Sequence, residues 1–300
     1  MTDGNRPDDE KQPLPRDPFS EFREDTEVVE EVLEGGKRVR RKGIYLLPNL
    51  FTTSALFSGF FAVVAALNND YGAAAIAIFI AMVLDGFDGR IARMTNTESA
   101  FGAEYDSLAD MTSFGVAPAI VAFSWTLQDV GKLGWIAAFV FVAGAALRLA
   151  RFNVQIGSID KKWFIGLPSP SAAGIVAGCV WTFHNFNAEG FGFKLLMAFI
   201  VAAAGILMVS NVRYYSFKDL DFKGPVPFVV LLAIVLGFVV ISVEPSVMLL
   251  LLFGCYGLSG PILALLRRAR KGRKGSASEN ASDTSAAEGA ASSHNDSTPD

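Results

Sequence analysis

Histidine and cysteine are nearly missing, with two of each in 300 residues. His184 and His294 are too few for a multi-histidine metal site, and a Ser-His-Asp nucleophile is not expected either. Cys179 and Cys255 both fall inside apolar runs, where a thiol is expected to act as a small buried hydrophobe, so a disulfide-rich secreted domain is excluded. Charge is scarce as well. Asp, Glu, Lys and Arg make up 19% of the chain, against roughly 25% in soluble globular proteins. A soluble enzyme and a nucleic-acid binder are therefore set aside. No signal peptide is expected, because the first apolar run begins near Ile44 behind a long acidic lead.

Apolar surface is what the chain has in quantity. Hydrophobic residues reach 51%, 25 of them Phe, and the mean hydropathy is +0.37. They come in runs of about 20 residues, the length that crosses a bilayer as a helix. The expected fold is all-α, a polytopic membrane bundle of about eight transmembrane helices. Their approximate limits are 44–67, 71–94, 107–127, 133–150, 170–186, 191–210, 226–243 and 246–266. Gly and Ala at close spacing, as in Gly72-Ala73-Ala74-Ala75 and Gly144-Ala145-Ala146, suit tight helix contact in lipid. No strand-like alternation competes.

The net charge of −4 hides a division into three. Residues 1–36 carry 12 acids and 4 bases, residues 276–300 carry 5 acids and no base, and the stretch 37–275 has 22 bases against 13 acids. Both ends are rich in Ser, Pro, Asp and Glu and are expected to be disordered tails flanking one membrane domain at 37–275. A short amphipathic helix around Val28 to Leu33 fits within the first. Basic residues gather in alternate connections: Lys37 to Lys42, Arg90 and Arg93, Arg148 and Arg151, Lys161 and Lys162, Arg213 to Lys223, and Arg267 to Lys274. The other connections offer only Lys132 and Lys194. By the positive-inside rule both termini are cytoplasmic, which requires an even number of spans. A bacterial inner membrane with the active site on its cytoplasmic side is the expected location. Lys161, Lys162 and Trp163, like Arg213, Tyr214 and Tyr215, read as an interfacial belt. The bases after Leu266 read as an anchor to anionic lipid.

Four acids stand where a membrane helix should have none. Asp85 and Asp88 interrupt the end of the second segment, and Asp106 and Asp110 open the third. Spacings of three and four put each pair on one helical face. An Asp at the centre of a span costs roughly 2.5–3.5 kcal/mol on insertion scales. Four converging carboxylates persist when cations offset their charge, and an all-oxygen set suits a hard ion, Mg²⁺ or Mn²⁺. The plainer alternative is a set of helix-end carboxylates solvated at the interface. Gly86, Gly89 and Gly102 leave room beside the acids, and Arg93 stands one turn past Gly89, where a guanidinium can grip phosphate oxygens. The set describes a site for a pyrophosphate group at the inner leaflet.

Those residues carry a resemblance. Asp85-x-x-Asp88-Gly89-x-x-Ala92-Arg93, then Gly102, Asp106 and Asp110, resembles the signature of the CDP-alcohol phosphatidyltransferase family at every fixed position. Other stretches resemble one branch of it, the membrane-bound phosphatidylserine synthases: Leu47 to Thr52, Ser113 to Pro118, Arg148 to Asn153 and Gly166 to Pro170. The resemblance runs from about residue 44 to 267. It implies an enzyme that transfers the phosphatidyl group of CDP-diacylglycerol to L-serine, giving phosphatidylserine and CMP. It implies Asp85, Asp88, Asp106 and Asp110 as ligands of two metal ions, and membrane-embedded homodimers. It also implies contacts to the CDP moiety from Gly89, Ala92, Arg93 and Gly102, with Asn49 and Thr52 adding weaker ones.

Asp110 is the expected general base, because an aliphatic hydroxyl does not ionise unaided at neutral pH. For Asn49 and Thr52 the alternative is a polar pair at a helix start. Arg148, Arg151 and Asn153 are candidates to hold the serine carboxylate, the alternative for the arginines being ordinary positive-inside anchoring. The Gly166 to Pro170 run is expected to form a rigid loop over the pocket. Two other functions compete. One is the same chemistry with glycerol 3-phosphate, an inositol phosphate or choline as acceptor. The other is a cation-coupled transporter, which the one-sided placement of the acids and the lack of an internal repeat disfavour.

Overall fold

A computed structural model describes residues 29–34, 37–42, 46–95, 99–155, 163–188, 190–215 and 228–266. Each apolar run has become a helix. In chain order these are α1 (Leu46–Leu67), α2 (Tyr71–Thr95) and α3 (Ala100–Asp110). The chain continues through a π-helical turn (Met111–Val116) into α4 (Ala117–Trp125), then α5 (Lys132–Gln155), α6 (Ser169–Asn185), α7 (Phe191–Val209), α8 (Phe228–Val243) and α9 (Pro245–Leu266). Among the described residues six stretches are long and apolar enough to cross a membrane: α1, α2, the continuous α3–α4 rod, α5, α7 and α9. Helices α6 and α8 have 17 and 16 residues. At 1.5 Å per residue that is roughly 25 Å, short of a hydrocarbon core of about 30 Å.

The distribution of side chains is that of a protein solvated by lipid. Large apolar residues such as Phe60, Val83, Phe139, Phe199 and Leu251 point outward, while the interior is built largely from alanine, including Ala62, Ala74, Ala81, Ala117, Ala145 and Ala173. With lipid outside there is little hydrophobic gain from burying large groups, so small residues that let backbones approach decide the packing. Gly144 and Gly205 show this between α5 and α7. A β-carbon on Gly144 would stand 2.4 Å from the Gly205 carbonyl oxygen, and one on Gly205 would stand 2.7 Å from Phe141 Cα. Cys179 is buried as expected, but Cys255 is exposed on α9, because that helix turns most of its surface outward.

The third segment differs from its expected limits. Ser99 caps α3 by accepting the Gly102 N–H at 3.0 Å, so the candidate span runs from Phe101 to Trp125. Asp106 and Asp110 lie inside it instead of opening it. The carboxylates depress local hydropathy, which is why an apolar-run reading starts too late. The π-turn directly after Asp110 is also unforeseen. It closes with the Ala117 N–H on Thr112 O and ends just before Pro118, which has no N–H to close a regular turn. Ser113, inside the turn, donates to Ala55 O at 3.1 Å, and Gly59 on α1 leaves it room.

Short strands do occur. β1 (Val29–Glu34) pairs antiparallel with β2 (Lys37–Lys42), where a short helix had been allowed. The register sets Glu30 opposite Arg41, Glu31 opposite Arg40 and Glu34 opposite Lys37. The hairpin straddles the 36–37 boundary drawn from composition. β3 (Trp163–Ile165) pairs with β4 (Arg213–Tyr215), so Tyr214 is not an interfacial side chain. It is fully buried and donates to Gly257 O at 3.0 Å. Gly166, at φ +84°, follows β3 with its N–H on Val212 O, and a β-carbon there would meet Met208 O at 2.1 Å. This glycine lets the chain turn against the end of α7 into α6. The tails 1–28 and 267–300, including the basic anchor after Leu266, and Lys161 and Lys162 lie outside the described residues.

Candidate active site

Four helices deliver the polar residues to one place. Helix α1 carries Asn49 and Thr52 in its first turns, α2 carries Asp85 and Asp88 near its end, α3 carries Asp106 and Asp110, and α5 ends with Arg148, Arg151 and Asn153. Since α1 packs along α2 and against α3, the two carboxylate pairs are brought together. One carboxylate oxygen from each of Asp85, Asp88 and Asp106 lies within 4.8 Å of the others. Asp110 joins through Asp85, whose carboxyl it contacts at hydrogen-bonding range, as Asp88 contacts Asp106.

Thr52 has a role that its position at a helix start did not reveal. Its hydroxyl is buried and donates to Asp88 Oδ2 at 2.9 Å, while the Gly89 N–H donates to Asp88 Oδ1. Both oxygens of Asp88 are thereby fixed in direction. By contrast, Asp106 Oδ1 and Asp110 Oδ1 are buried without a hydrogen-bond partner among the described residues. Buried carboxylate oxygens left so are costly and call for a cation. The donors are all carboxylate oxygens, which fits a hard divalent ion. The acidic cluster is therefore a fitting metal site on its own chemistry.

Beside it opens a cavity of about 340 Å³ lined by Pro48, Asn49, Thr52, Asp88, Gly89, Ala92, Ser99, Gly102, Ala103 and Asp106. Five of the six residues expected to contact CDP line it: Asn49, Thr52, Gly89, Ala92 and Gly102. The sixth, Arg93, is exposed at the end of α2 and is not among the lining residues. None of the described residues stands within 4 Å of where a β-carbon on Gly86 or Gly89 would be, so both glycines face space left open by them.

The arginines of α5 are tied into the protein. Arg148 Nη1 donates to Ser169 Oγ at 2.7 Å and lies within electrostatic range of Asp110. Arg151 Nη2 donates to Asn211 Oδ1 at 3.0 Å, and Asn153 Nδ2 donates to Ser107 Oγ at 3.2 Å. A guanidinium packed against buried Ser169 is not an interfacial anchor reaching for water. Ser107, Ser169 and Asn211 were not foreseen as part of this site. Ser169 lies in the Gly166 to Pro170 run and Ser107 beside Asp106, but their partners are 21 and 46 residues away, a separation no local pattern encodes. His184 packs edge-on to Tyr71, with ring centroids 5.5 Å apart, and takes no part in the cluster.

The sequence profile of the CDP-alcohol phosphatidyltransferases matches residues 45–212, a stretch that holds every one of these side chains. The chain belongs to that family. The resemblance drawn from the aspartate and glycine spacing is borne out. Among its relatives is a Helicobacter pylori protein named CDP-diacylglycerol–serine O-phosphatidyltransferase, 42% identical over 197 residues, covering 65% of this chain and 83% of its own length. A Mycobacterium leprae protein of the same name is 33% identical over 178 residues, covering 58% of this chain and 59% of its own. The archaetidylserine synthase of Methanothermobacter thermautotrophicus is 36% identical over 170 residues, covering 56% and 69%. Two of the names describe phosphatidyl transfer to serine, and the third the synthesis of archaetidylserine.

Proposed function

We propose that this chain transfers the phosphatidyl group of CDP-diacylglycerol to the hydroxyl of L-serine, releasing CMP and leaving phosphatidylserine in the membrane. The observation that carries the proposal is the meeting of four aspartates beside a cavity walled by Asn49, Thr52, Gly89, Ala92 and Gly102, two carboxylate oxygens being buried and unpartnered. The relatives' names supply the acceptor.

The cavity takes the CDP moiety, with its glycines leaving space for the nucleotide and pyrophosphate to approach the backbone of α2. Arg93, exposed in the last turn of α2, reaches the phosphates from outside the cavity. Asp85, Asp88, Asp106 and Asp110 would hold two Mg²⁺ or Mn²⁺ ions, which when bound neutralise charge on the pyrophosphate and the departing CMP. Thr52 and the Gly89 N–H keep Asp88 aimed. Arg148, with Arg151 and Asn153 behind it, presents cationic and amide donors to the carboxylate of serine. Asp110 then takes the hydroxyl proton as the serine oxygen bonds to the phosphatidyl phosphorus and the bond from that phosphorus to CMP breaks.

The reading includes a bacterial inner-membrane location, cytoplasmic termini and active site, eight crossings with α6 and α8 as the two short ones, a membrane domain at 37–275 between acidic tails, and a homodimer. The alternating basic connections support the orientation. The test is CMP release from CDP-diacylglycerol by the purified protein with Mg²⁺ or Mn²⁺, in parallel with serine, glycerol 3-phosphate, inositol 1-phosphate, choline and no acceptor. Release with serine alone is expected. Release with another alcohol would keep the carboxylate chemistry and discard the role given to Arg148, Arg151 and Asn153.

A further inference from the structure

Helix α1 is tied to both carboxylate-bearing helices by buried hydroxyls spaced along its length. Thr52 donates to Asp88 Oδ2 on α2 at 2.9 Å, and Ser58 donates to Ala77 O on α2 at 2.8 Å. Between them, Ala55 O accepts at 3.1 Å from Ser113, in the π-turn that follows Asp110. The approach there is close. A β-carbon on Gly59 would stand 2.4 Å from Ser113 Oγ and 2.7 Å from Ser113 Cα. The turn is also held from α5, since a β-carbon on Gly115 would stand 3.1 Å from Ala145 Cβ. Another link between α1 and α3, from Thr53 Oγ1 to Tyr105 OH at 2.9 Å, is exposed, and a hydrogen bond open to solvent holds less firmly than a buried one.

A π-turn holds one residue more than an α-turn, so the helix beyond it is offset by about 100° from an unbroken α-helix. Such turns are rare and often stand at functional sites. An offset of that size needs a specific contact to hold it, and the buried Ser113 supplies one. The acids lie just before it. Asp106 belongs with Asp85 and Asp88 of α2 to the group whose carboxylate oxygens lie within 4.8 Å of one another, and Asp110 is the last residue ahead of the turn. Whether the two pairs meet therefore depends on how α3 is set against α2, and α1 packs against both. The Ser113 bond fixes the end of α3 to α1 one turn past Thr52, on the same helix that already fixes Asp88.

We infer that Ser113 is a positioning residue for Asp106 and Asp110: by locking the π-turn to α1 it sets the spacing of the two carboxylate pairs, and with it their affinity for divalent ions. This rests on the reading of the acidic cluster as the ion site. The experiment titrates Mn²⁺ into the full-length protein in detergent, with neither substrate present, following the free ion by electron paramagnetic resonance. Thermal unfolding is recorded on the same samples before the ion is added. Ser113→Ala is expected to weaken Mn²⁺ binding roughly tenfold, the lower end of the losses found behind metal ligands. Ser58→Ala removes a buried hydroxyl-to-carbonyl bond of the same kind from the same helix, one that reaches α2 two turns before Asp85. It is expected to lower the unfolding temperature as Ser113→Ala does, while Mn²⁺ affinity stays at the wild-type value. Should Ser113→Ala not fold, Ser113→Cys, which keeps a weak donor, carries the same comparison with a smaller loss expected. Wild-type Mn²⁺ affinity in the Ser113 variant, or an equal loss in Ser58→Ala, overturns the inference and leaves the ion site standing. A wild-type protein that takes up no Mn²⁺ overturns the ion site itself, and the inference with it.

Discussion

The two sides of the site are finished to different degrees. On the donor side, formed by α1, α2 and α3, buried carboxylate oxygens have no partner among the described residues and two glycines face space that none of those residues fills. On the acceptor side, where α5 meets α3, α6 and the end of α7, each named donor already has a protein partner: Arg148 with Ser169, Arg151 with Asn211, Asn153 with Ser107. A group left unsatisfied in the folded protein gains the full worth of its ligand. A group already satisfied exchanges one bond for another and gains little. Under the proposed function, the donor side is suited to tight binding of cations and a phosphorylated nucleotide, and the acceptor side to loose, orientation-dependent capture of a small polar alcohol.

The comparison breaks most visibly if the donor side works without cations. Stripping divalent ions with a chelator is expected to abolish CMP release, and adding back Mg²⁺ or Mn²⁺ to restore it. Full activity with chelator present throughout would mean that the unpartnered oxygens of Asp106 and Asp110 serve another purpose. Next in size is Asp110→Asn, which keeps the shape and removes the proton acceptor. Turnover is expected to fall by about 10²- to 10⁴-fold, the usual contribution of a positioned base, measured at saturating serine. Wild-type turnover would leave Asp110 as a metal ligand at most.

Thr52→Val tests whether the donor side depends on the bond that aims a metal ligand, beyond the contact Thr52 offers the nucleotide as a wall of the cavity. It deletes the 2.9 Å bond that aims Asp88 and leaves a similar volume. Losses behind a metal ligand run to about 10- to 100-fold in metal affinity or activity. The deficit is expected to shrink as the Mg²⁺ concentration is raised, which is the sign of a weakened ion site. A deficit independent of Mg²⁺ would point instead to a nucleotide contact.

How much of this could be read before folding follows from the range over which each feature is encoded. Asp85, Asp88, Asp106 and Asp110 sit at helical spacings, and the glycines beside them are adjacent in sequence, so the acidic half of the site was legible as a pattern. The eight apolar segments were equally plain. Thr52 was placed correctly at the start of α1, but its bond to Asp88 joins residues 36 apart, and only the packing of α1 on α2 creates it. The start of α3 was misjudged because its carboxylates mask an otherwise apolar helix, and the π-turn has no periodic signature to detect. Tyr214 and Tyr215 looked alike as aromatic neighbours near a basic cluster. The β3–β4 pairing buries the first of them, and strand pairing between positions some 50 residues apart leaves no local trace.

The smallest expected effect tests the acceptor side from the opposite direction. Ser169 holds one N–H of Arg148 at 2.7 Å and is itself fully buried. If an acceptor carboxylate must take over that donor, Ser169 is a competitor for it. Ser169→Ala then leaves a donor of a partly buried guanidinium without its partner, a loss of about 1–3 kcal/mol in stability that thermal unfolding would detect. The same substitution frees the donor for the ligand, so the KM for serine is expected to fall by roughly two- to fivefold, a gain well under one full hydrogen bond. A rise in that KM would show that serine binds with the Arg148–Ser169 bond intact. The acceptor side would then be as preorganised as the donor side, and the difference between them would lie in charge alone.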